Sequence, residues 1–174
     1  MAARDLTKRA IVASFKSLVE QRGFDEVTVD EIAKCTTINR QTFYYHFADK
    51  YDLVNHIFYT ELFAPFADML DNGSAEQAFE SLFDELDKQR KFFRKLFDSR
   101  ARDNFAAYFG TLAKSLLVDL TDGKIKETDL EADFFANGLT GVVASWCLDD
   151  RDISPCLLAE RACQFADMFV EKCC

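Results

Sequence analysis

Proline and glycine are scarce in this chain, which has two prolines and six glycines among its 174 residues. Because both residue types interrupt helices, their scarcity predicts long helical segments with few breaks. The chain has no run of about 18 apolar residues, which argues against a membrane-spanning helix. Its first ten residues, MAARDLTKRA, lack the apolar segment of a signal peptide. We therefore expect a soluble, cytoplasmic protein with no membrane partner.

Histidine is also scarce, and the motifs of catalytic and metal sites are missing. The two histidines are His46 and His56, and the sequence has neither a nucleophile motif nor a Gly-rich phosphate loop. The six cysteines show no CxxC and no Cys/His ligand spacing, so we interpret them as reduced, mostly buried thiols. We predict that the protein is not an enzyme and uses no cofactor and no metal. The cysteines are Cys35, Cys147, Cys156, Cys163, and the adjacent, exposed pair Cys173 and Cys174.

Positively charged residues are fewer than negatively charged ones, and they are unevenly distributed along the chain. The net charge of the chain is -9. Residues 1–50 hold 8 Lys/Arg against 7 Asp/Glu, whereas residues 51–174 hold 13 against 23. The N-terminal part is therefore better suited to an anionic partner than the acidic remainder.

Local signals in the N-terminal part predict three helices. The first runs from about Leu6 to Arg22. A second begins after Thr28, which with Glu31 forms a capping box. Asn39 is a good cap for a third helix over residues 40–46. A supporting helix followed by two short helices with a tight turn is the helix-turn-helix arrangement.

The third helix exposes side chains that suit DNA. Arginine can bond guanine O6 and N7, glutamine can bond adenine N6 and N7, and threonine can contact a thymine methyl group. Arg40, Gln41 and Thr42 supply these three chemistries in consecutive positions. The tyrosines and histidine that follow, with Lys50, can reach phosphates. Phe43 and Phe47 are interpreted as core.

The segment TVDEIAKCTTINRQTFYYHFADKYDLV, residues 28–54, resembles the DNA-binding signature of TetR-type transcriptional regulators. The resemblance covers about residues 7–55. Thr37 stands where the family usually has glycine in the turn, which implies an altered or strained turn. Asn39 replaces a serine and caps equally well. The segment GLTGVVASW, residues 138–146, also resembles a C-terminal type common in Firmicutes-like members, some of which neighbour dihydroxyacetone kinase genes.

This resemblance implies a fold and a set of contacts. The expected fold is all-α, with a three-helix DNA-binding domain over residues 1–50 and an all-helical ligand-binding and dimerisation domain over residues 51–174. Thr7 and Lys8 are expected to assist the DNA contacts. The DNA-binding residues that it implies are Thr28, Asn39, Arg40, Gln41, Thr42, Tyr44, Tyr45, His46 and Lys50.

Sequence signals divide the second part of the chain into helices. Pro65 is expected to bend or end the helix that follows Lys50. Further helices are predicted over about 76–97 and 100–120. Thr128 with Glu131 is read as a capping box for a helix ending near Leu148. Ser154 and Pro155 begin the last helix.

The last two helices carry matching apolar stripes. They indicate either an ordinary core or, as the resemblance implies, a homodimer interface formed by these helices. Gly138 and Gly141 would permit close helix approach. The predicted interface comprises Phe135, Gly138, Leu139, Gly141, Val142, Trp146, Leu158, Ala162, Phe165 and Phe169.

Fourteen of the 18 phenylalanines lie in the second part of the chain. Most must form core, but we also expect an apolar effector pocket between helices. Its predicted lining is Phe79, Phe83, Phe93, Phe97, Phe105, Tyr108, Phe109 and Phe135. The expected function is a transcriptional repressor that binds an inverted-repeat operator as a dimer and is released by an unknown small molecule. The alternative is a regulator, and possible activator, whose second domain docks a partner protein.

Overall fold

The computed structural model describes residues 2–149 and 153–173, and every regular element in these residues is helical. The side chains of residues 2, 3, 169, 170, 172 and 173 lie outside the described part. The all-α prediction is therefore confirmed. The helices are α1 (Ala2–Arg22), α2 (Val29–Cys35), α3 (Arg40–His46), α4 (Lys50–Phe58), α5 (Ala64–Asn72), α6 (Ala75–Lys88), α7 (Arg90–Phe97), α8 (Arg102–Leu120), α9 (Leu130–Leu148) and α10 (Pro155–Cys173), with a π-helical turn at Tyr59–Phe63 between α4 and α5. Among the described residues, no helix is both long and apolar enough to cross a membrane.

Helices α1 to α4 surround a compact apolar centre. Gly23 ends α1, since its φ is +89° and its N–H donates to the Val19 carbonyl at 2.7 Å. A residue without Cβ adopts this left-handed conformation at little cost. The head, a name we use for α1 to α3 with the loops between them, therefore rests on one continuous core. Its fully buried residues include Ile11, Phe15, Val19, Phe24, Ile32 and Phe43.

The turn between α2 and α3 contains a strained residue. Thr37 has a φ of +54°, the left-handed conformation in which the resembling family uses glycine. A non-glycine residue there costs roughly 1–2 kcal/mol. The turn nevertheless closes, because the N–H of Ile38 donates to the Ala33 carbonyl at 3.0 Å. The helix-turn-helix geometry thus tolerates threonine by storing strain in one residue.

The break between α6 and α7 was not predicted, because the sequence indicated one helix over residues 76–97. Gln89 interrupts it with a φ of -105° and a ψ of 11°. Its side chain is buried, donates to Glu85 at 2.8 Å and accepts from the Lys16 amino group at 2.9 Å. Lys16, in α1, also forms a 2.6 Å salt bridge with Glu61 of the π-helical turn. The break therefore lies where the head is bonded to the rest of the chain.

Two further predictions about helix starts had different outcomes. Thr128 does not cap α9, because Asp129 holds the N-cap position and its carboxylate accepts from the Lys126 N–H at 2.8 Å. The Thr128 capping box was therefore wrong. Ser154 does cap α10, with its hydroxyl accepting from the Leu157 N–H at 3.3 Å, and Pro155 is the first helical residue.

Phenylalanines fill the interior of the body, which we define as α5 to α10. Phe105 lies at the centre, with its ring centroid 5.2 Å from that of Phe97, 5.3 Å from Phe58 and 5.8 Å from Phe93. Edge-to-face and tilted ring pairs of this kind add to the stabilisation from burial. These rings contact one another directly and leave no ligand-sized space between them.

Helices α9 and α10 belong to different layers of the body. Helix α10 packs mainly on α6, whereas α9 packs on α8 and α7. Arg90 of α7 holds the end of α9, because its guanidinium donates to the carbonyls of Trp146 at 2.7 Å and Asp149 at 2.9 Å. The two C-terminal helices make little direct contact, so a groove separates them.

The cysteines differ from the expectation of mostly buried thiols. Among the four described in the structure, only Cys147 is buried, whereas Cys35 and Cys156 are exposed. Burial raises the pKa of the Cys147 thiol to about 12, so this group is not a reactive thiolate. No cluster of metal-ligating side chains occurs among the described residues. The side chain of Cys173 and all of Cys174 lie outside the described part.

Candidate nucleic-acid interface

Helix α3 presents polar and aromatic side chains to solvent on the side opposite its buried residue, Phe43. This arrangement follows from helix geometry, since residues three and four positions apart share a face. Phe47, directly after the helix, is also buried, as predicted. The exposed residues are Arg40, Gln41, Tyr44 and Tyr45, and the half-buried ones are Thr42 and His46.

Asn39 starts α3 rather than projecting from it. Its side-chain oxygen accepts from the Thr42 N–H at 2.7 Å and from the Thr42 hydroxyl at 2.9 Å. The cap satisfies a backbone donor that the first turn of a helix leaves without a partner. The Thr42 hydroxyl is thereby engaged within the protein, and its methyl group is left for an apolar contact.

Arg40 is held across the helix-turn-helix. Its guanidinium lies 3.2 Å from the Asp30 carboxylate of α2 and donates to the Tyr44 hydroxyl at 3.2 Å. These bonds raise the pKa of the Arg40 guanidinium, with the Tyr44 hydrogen bond as the larger cause. Both sides of the ion pair are more than half exposed, so the pair orients Arg40 more than it stabilises the fold.

Thr28 has a structural task at the start of α2. Its hydroxyl accepts from the Glu31 N–H at 3.3 Å and its own N–H donates to the Glu31 carboxylate at 3.0 Å, as the predicted capping box requires. The hydroxyl also donates to that carboxylate at 2.8 Å. The hydrogen bond from Arg22 and the bonds with Thr28 lower the pKa of Glu31 to about 2. The single hydroxyl proton of Thr28 must therefore change partner before it can bind a phosphate.

Lys50 combines a structural position with spare bonding capacity. Its amino group donates to the Phe24 carbonyl at 2.9 Å and to the Val27 carbonyl at 3.1 Å, and it lies 4.2 Å from the centroid of the Phe24 ring. Burial lowers the pKa of this half-buried lysine. An ammonium group has three N–H donors, so one remains for a phosphate. The lysine thus fixes the loop before α2.

His46 is less suited to neutralising a phosphate than its position in the motif implied. Burial lowers the pKa of its imidazole, and the positive charges of Arg4 and Lys8 lower it further. A neutral imidazole donates a single hydrogen bond and carries no charge. Its Nδ1 atom is buried and has no hydrogen-bond partner among the described residues.

The start of α1 brings additional cations to α3 that the motif did not identify. The Arg4 guanidinium lies 5.2 Å from the centroid of the Tyr45 ring, and the Lys8 amino group lies 5.3 Å from that of Phe47. Lys8 had been expected to assist, but Arg4 and the Arg40 partner Asp30 had not. Nothing in the local sequence indicates these contacts, because they form between separate helices.

The predicted dimer residues fall into two groups. Phe135 and Trp146 are buried within the subunit, and the Trp146 indole N–H donates to the Ile153 carbonyl at 3.0 Å. The other residues belong largely to the surface: Gly138, Gly141, Val142 and Phe165 are exposed, and Leu139 and Ala162 are half-buried. Leu158 is buried. A side chain added at either glycine would meet no atom within 4 Å. The side chain of Phe169 lies outside the described part.

We call the space between α6, α9 and α10 the apolar groove. Its volume is about 460 Å³, and it opens to solvent. Two exposed rings, Phe134 and Phe165, flank it with 66% and 61% of their surface accessible. Large exposed apolar side chains in one place mark an interaction surface. The groove is lined by Phe79, Phe134, Phe135, Gly138, Leu139, Val142, Leu158, Arg161, Ala162 and Phe165.

The predicted effector pocket is not present as a cavity. Phe83, Phe93, Phe97 and Phe105 are almost fully buried against other side chains. The space that Phe79 and Phe109 share with neighbouring apolar residues has a volume of about 20 Å³, far below the roughly 300 Å³ at which ligand pockets begin. Phe79 and Phe135 also line the apolar groove, and Tyr108 is half-buried beside Phe58. In this structure most of these residues pack as core, and the effector pocket stays a prediction.

Comparisons with known proteins agree with this geometry. Residues 11–57 match the family model described as "Bacterial regulatory proteins, tetR family", and residues 73–168 match "Transcriptional regulator C-terminal region". The chain is 26% identical over 128 residues to the HTH-type dhaKLM operon transcriptional activator DhaS of Lactococcus lactis subsp. lactis, covering 71% of this chain and 65% of that relative. The match thus spans just under two thirds of the relative's length.

Solved structures share the fold. A dihydroxyacetone kinase operon activator DhaS superposes with a TM-score of 0.65 at 22% identity, over 95% of this chain and 97% of that one. NalD, the secondary repressor of the MexAB-OprM efflux pump in Pseudomonas aeruginosa, gives 0.62 at 16% identity, over 97% and 98%. The fatty acid degradation regulator FadR from Bacillus halodurans gives 0.61 at 18% identity, over 92% and 94%. At these identities the likeness concerns the fold.

Proposed function

Because this chain belongs to the TetR family of DNA-binding transcription regulators, we propose that α3 reads base edges in the major groove of an inverted-repeat operator. Members of this family are transcription factors rather than enzymes, and they bind DNA as dimers. The proposal divides the chain into a DNA-binding head at 1–50 and a signal-receiving, dimerising part at 51–174. The start of α4 at Lys50 supports a division at this point.

One observation carries the DNA proposal: Arg40 and Gln41 are exposed on the first turn of α3, next to each other and opposite the buried Phe43. The N-terminal end of a recognition helix is the part that meets base edges. The ion pair with Asp30 holds Arg40 in place before binding, which lowers the entropy cost when it bonds a base. Tyr44, Tyr45 and the remaining donor of Lys50 are the phosphate contacts.

We expect wild-type protein to enrich an inverted repeat from a pool of random-sequence duplexes. Arg40→Ala should weaken binding to the enriched duplex by about 1–3 kcal/mol and relax the preference at one base pair. Arg40→Lys is the matched control, because it keeps the charge but loses the two-pronged donor geometry. It should keep the salt dependence and lose the base preference. Unchanged affinity and unchanged preference in Arg40→Ala would contradict the assignment.

The dimer proposal is supported by the surface of α9 and α10. Leu130, Phe134 and Val142 of α9 and Phe165 and Met168 of α10 are exposed apolar residues. Such a surface is costly in water, and a second copy of the chain would cover it as a four-helix arrangement about a two-fold axis. The exposed glycines of α9 leave room for a close helix approach.

We consider two candidate mechanisms by which the regulator could respond to a signal. The first is a repressor released by an apolar small molecule, for which the groove between α6, α9 and α10 has a suitable volume. The second is an activator that docks a partner protein, and the filled interior of the body favours it. The name of the DhaS relative, an activator, agrees with the second candidate.

We expect native mass spectrometry of the purified protein to show a dimer with no bound molecule, because the rings around Phe105 pack against one another and the apolar groove opens to solvent. A Phe134→Ala dimer serves as the control, since this change enlarges the groove without opening the core. A dimer that carries an added mass of several hundred daltons would favour the small-molecule candidate instead, and loss of that mass in the Phe134→Ala dimer would place the molecule in the apolar groove.

A further inference from the structure

Positive charge is concentrated in one segment outside the head. Residues 88–102 contain seven of the 21 Lys/Arg residues and one aspartate, a net charge of +6. The whole chain has a net charge of -9, so the other residues together carry -15. This segment covers α7 and the turn that leads to α8. A strongly basic segment in an acidic body indicates an anionic partner.

Three of these seven cations, Lys88, Arg90 and Arg94, have partners inside the protein. Lys88 bonds the Glu85 carboxylate at 3.0 Å, and Arg90 bonds the carbonyls at the end of α9. The Arg90 guanidinium also stacks 4.7 Å from the centroid of the Trp146 ring. The positive charges of Lys88 and Arg90 thus have a structural role within the subunit.

Four others are different, and we call them the basic strip: Lys91, Lys95, Arg100 and Arg102. Lys95 is half-buried and the other three are exposed. Within the described part of the chain, none of the four side chains forms a salt bridge or a hydrogen bond. They present four donors of positive charge to solvent.

The basic strip does not stabilise its own helix. Lys91 and Lys95 are four positions apart on α7, a spacing at which like charges destabilise a helix. Lys91 also lies in the first turn, where the helix dipole disfavours a cation. Lys95 lies in the last turn of α7, where the helix dipole favours a cation, so local stability can account for Lys95 but not for Lys91.

The position of α7 brings the strip to the DNA-binding head. Helix α7 packs on α1, with the Phe92 and Phe15 ring centroids 6.0 Å apart. At the other end of the strip, the Arg100 N–H donates to the Asp25 carboxylate at 3.4 Å. Asp25 lies three residues before Thr28, the cap of α2. The first helix of a helix-turn-helix crosses the DNA backbone, so the strip ends near that backbone.

We propose that the basic strip binds the phosphates of DNA that flank the half-site read by α3. This inference rests on the proposed DNA-binding function and extends its footprint beyond the bases that α3 contacts. Duplex DNA carries about one charge per 1.7 Å of its axis, and attraction acts over roughly 8 Å at physiological salt. Contacts of this type position the protein and contribute affinity without sequence preference.

The test measures the salt dependence of binding to two duplexes. One carries only the enriched inverted repeat, and the other carries the same repeat with about 12 additional base pairs on each side. We compare wild type with the strip variant, in which all four residues of the basic strip are replaced by glutamine. We also measure the double variant Lys91→Gln with Lys95→Gln. Its matched control variant, Lys124→Gln with Lys126→Gln, removes two exposed lysines from the loop before α9.

On the longer duplex, the strip variant should flatten the slope of log K against log [salt] by about 0.9 for every phosphate that it no longer neutralises. Lowering the salt from 1 M to 0.1 M raises the affinity for DNA. For each unit by which the slope of a variant is smaller, this increase is about tenfold less than for wild type. On the short duplex, wild type and strip variant should agree, and the control variant should resemble wild type on both.

Equal slopes for wild type and strip variant on the longer duplex would overturn the proposal, and so would an equal reduction on both duplexes. If the slopes are equal but wild type alone binds poly-glutamate, the strip recognises an acidic protein instead of DNA. Failure of the DNA-binding function is a separate outcome, because wild type would then enrich no sequence at all. In that case a strip-dependent slope on a random-sequence duplex of about 40 base pairs still supports the strip, and its absence overturns it.

Discussion

Replacing Phe105 with alanine should lower the free energy of unfolding by about 3–5 kcal/mol, a large part of the stability of a protein of this size. The side chain is 1% exposed, and its ring contacts those of Phe58, Phe93 and Phe97. Removing it forfeits the transfer free energy of the ring and leaves a cavity that neighbouring rings fill only in part. Denaturant unfolding, followed by circular dichroism, measures the change.

Leu6→Ala is the control for this prediction. The Leu6 side chain is 71% exposed and lies outside the proposed dimer interface, so truncating it should alter the free energy of unfolding by less than about 0.5 kcal/mol. Both variants are measured at one protein concentration. A Phe105→Ala protein as stable as wild type would show that the residue lines a space that a ligand fills, as the sequence pattern indicated.

The second large effect concerns assembly. The double change Phe134→Asp and Phe165→Asp should give folded monomers, because it puts two charges into the proposed interface and leaves the subunit core intact. Two linked heads gain roughly 10²–10⁴ in affinity over one head on a two-fold operator, so operator binding should fall by a factor of this order. Analytical ultracentrifugation and DNA titration measure the two consequences.

Leu6→Asp, at a residue of α1 that is 71% exposed, is the control for adding a charge at an apolar surface position. It should leave the protein dimeric. Trp146→Asp is a poor test, because Trp146 is 3% exposed and bonded to Ile153, so the change unfolds the subunit. A double variant that still sediments as a dimer would show that the chains pair through another surface.

The head was predictable because its signals are local. Thr28 with Glu31 and Asn39 with Thr42 form hydrogen bonds within three residues, and such bonds can be inferred from spacing alone. The strain at Thr37 was also indicated by the residue type. Contacts between helices were not predictable: Asp30 meets Arg40 because two helices cross at a particular angle, and no periodicity within one helix encodes that angle.

The same limit explains the missed helix break and why the sequence does not distinguish a pocket from a core. Glutamine favours helices, and Gln89 leaves the helix where Lys16 of a distant helix bonds its side chain. Phenylalanines in a helix bundle can face a ligand or one another, and their spacing is the same in both cases. Whether Phe93 and Phe105 enclose space depends on how closely their helices pack, which the sequence pattern does not specify.

The π-helical turn at Tyr59–Phe63 sets the rotation of the body relative to the head about the axis of the connecting helix. It joins α4 to α5 without a flexible linker, and Pro65 follows in the first turn of α5, where its missing N–H costs little. Each residue added to a helix rotates everything beyond it by about 100° about the axis. A π-helical turn holds one residue more than an α-helical turn. It therefore rotates Phe66 by about 100° about the helix axis, relative to Ile57, compared with an uninterrupted α-helix. The length of the segment between Lys50 and Asn72 is therefore constrained more tightly than its amino-acid composition. A single inserted or deleted residue would rotate the body relative to the head.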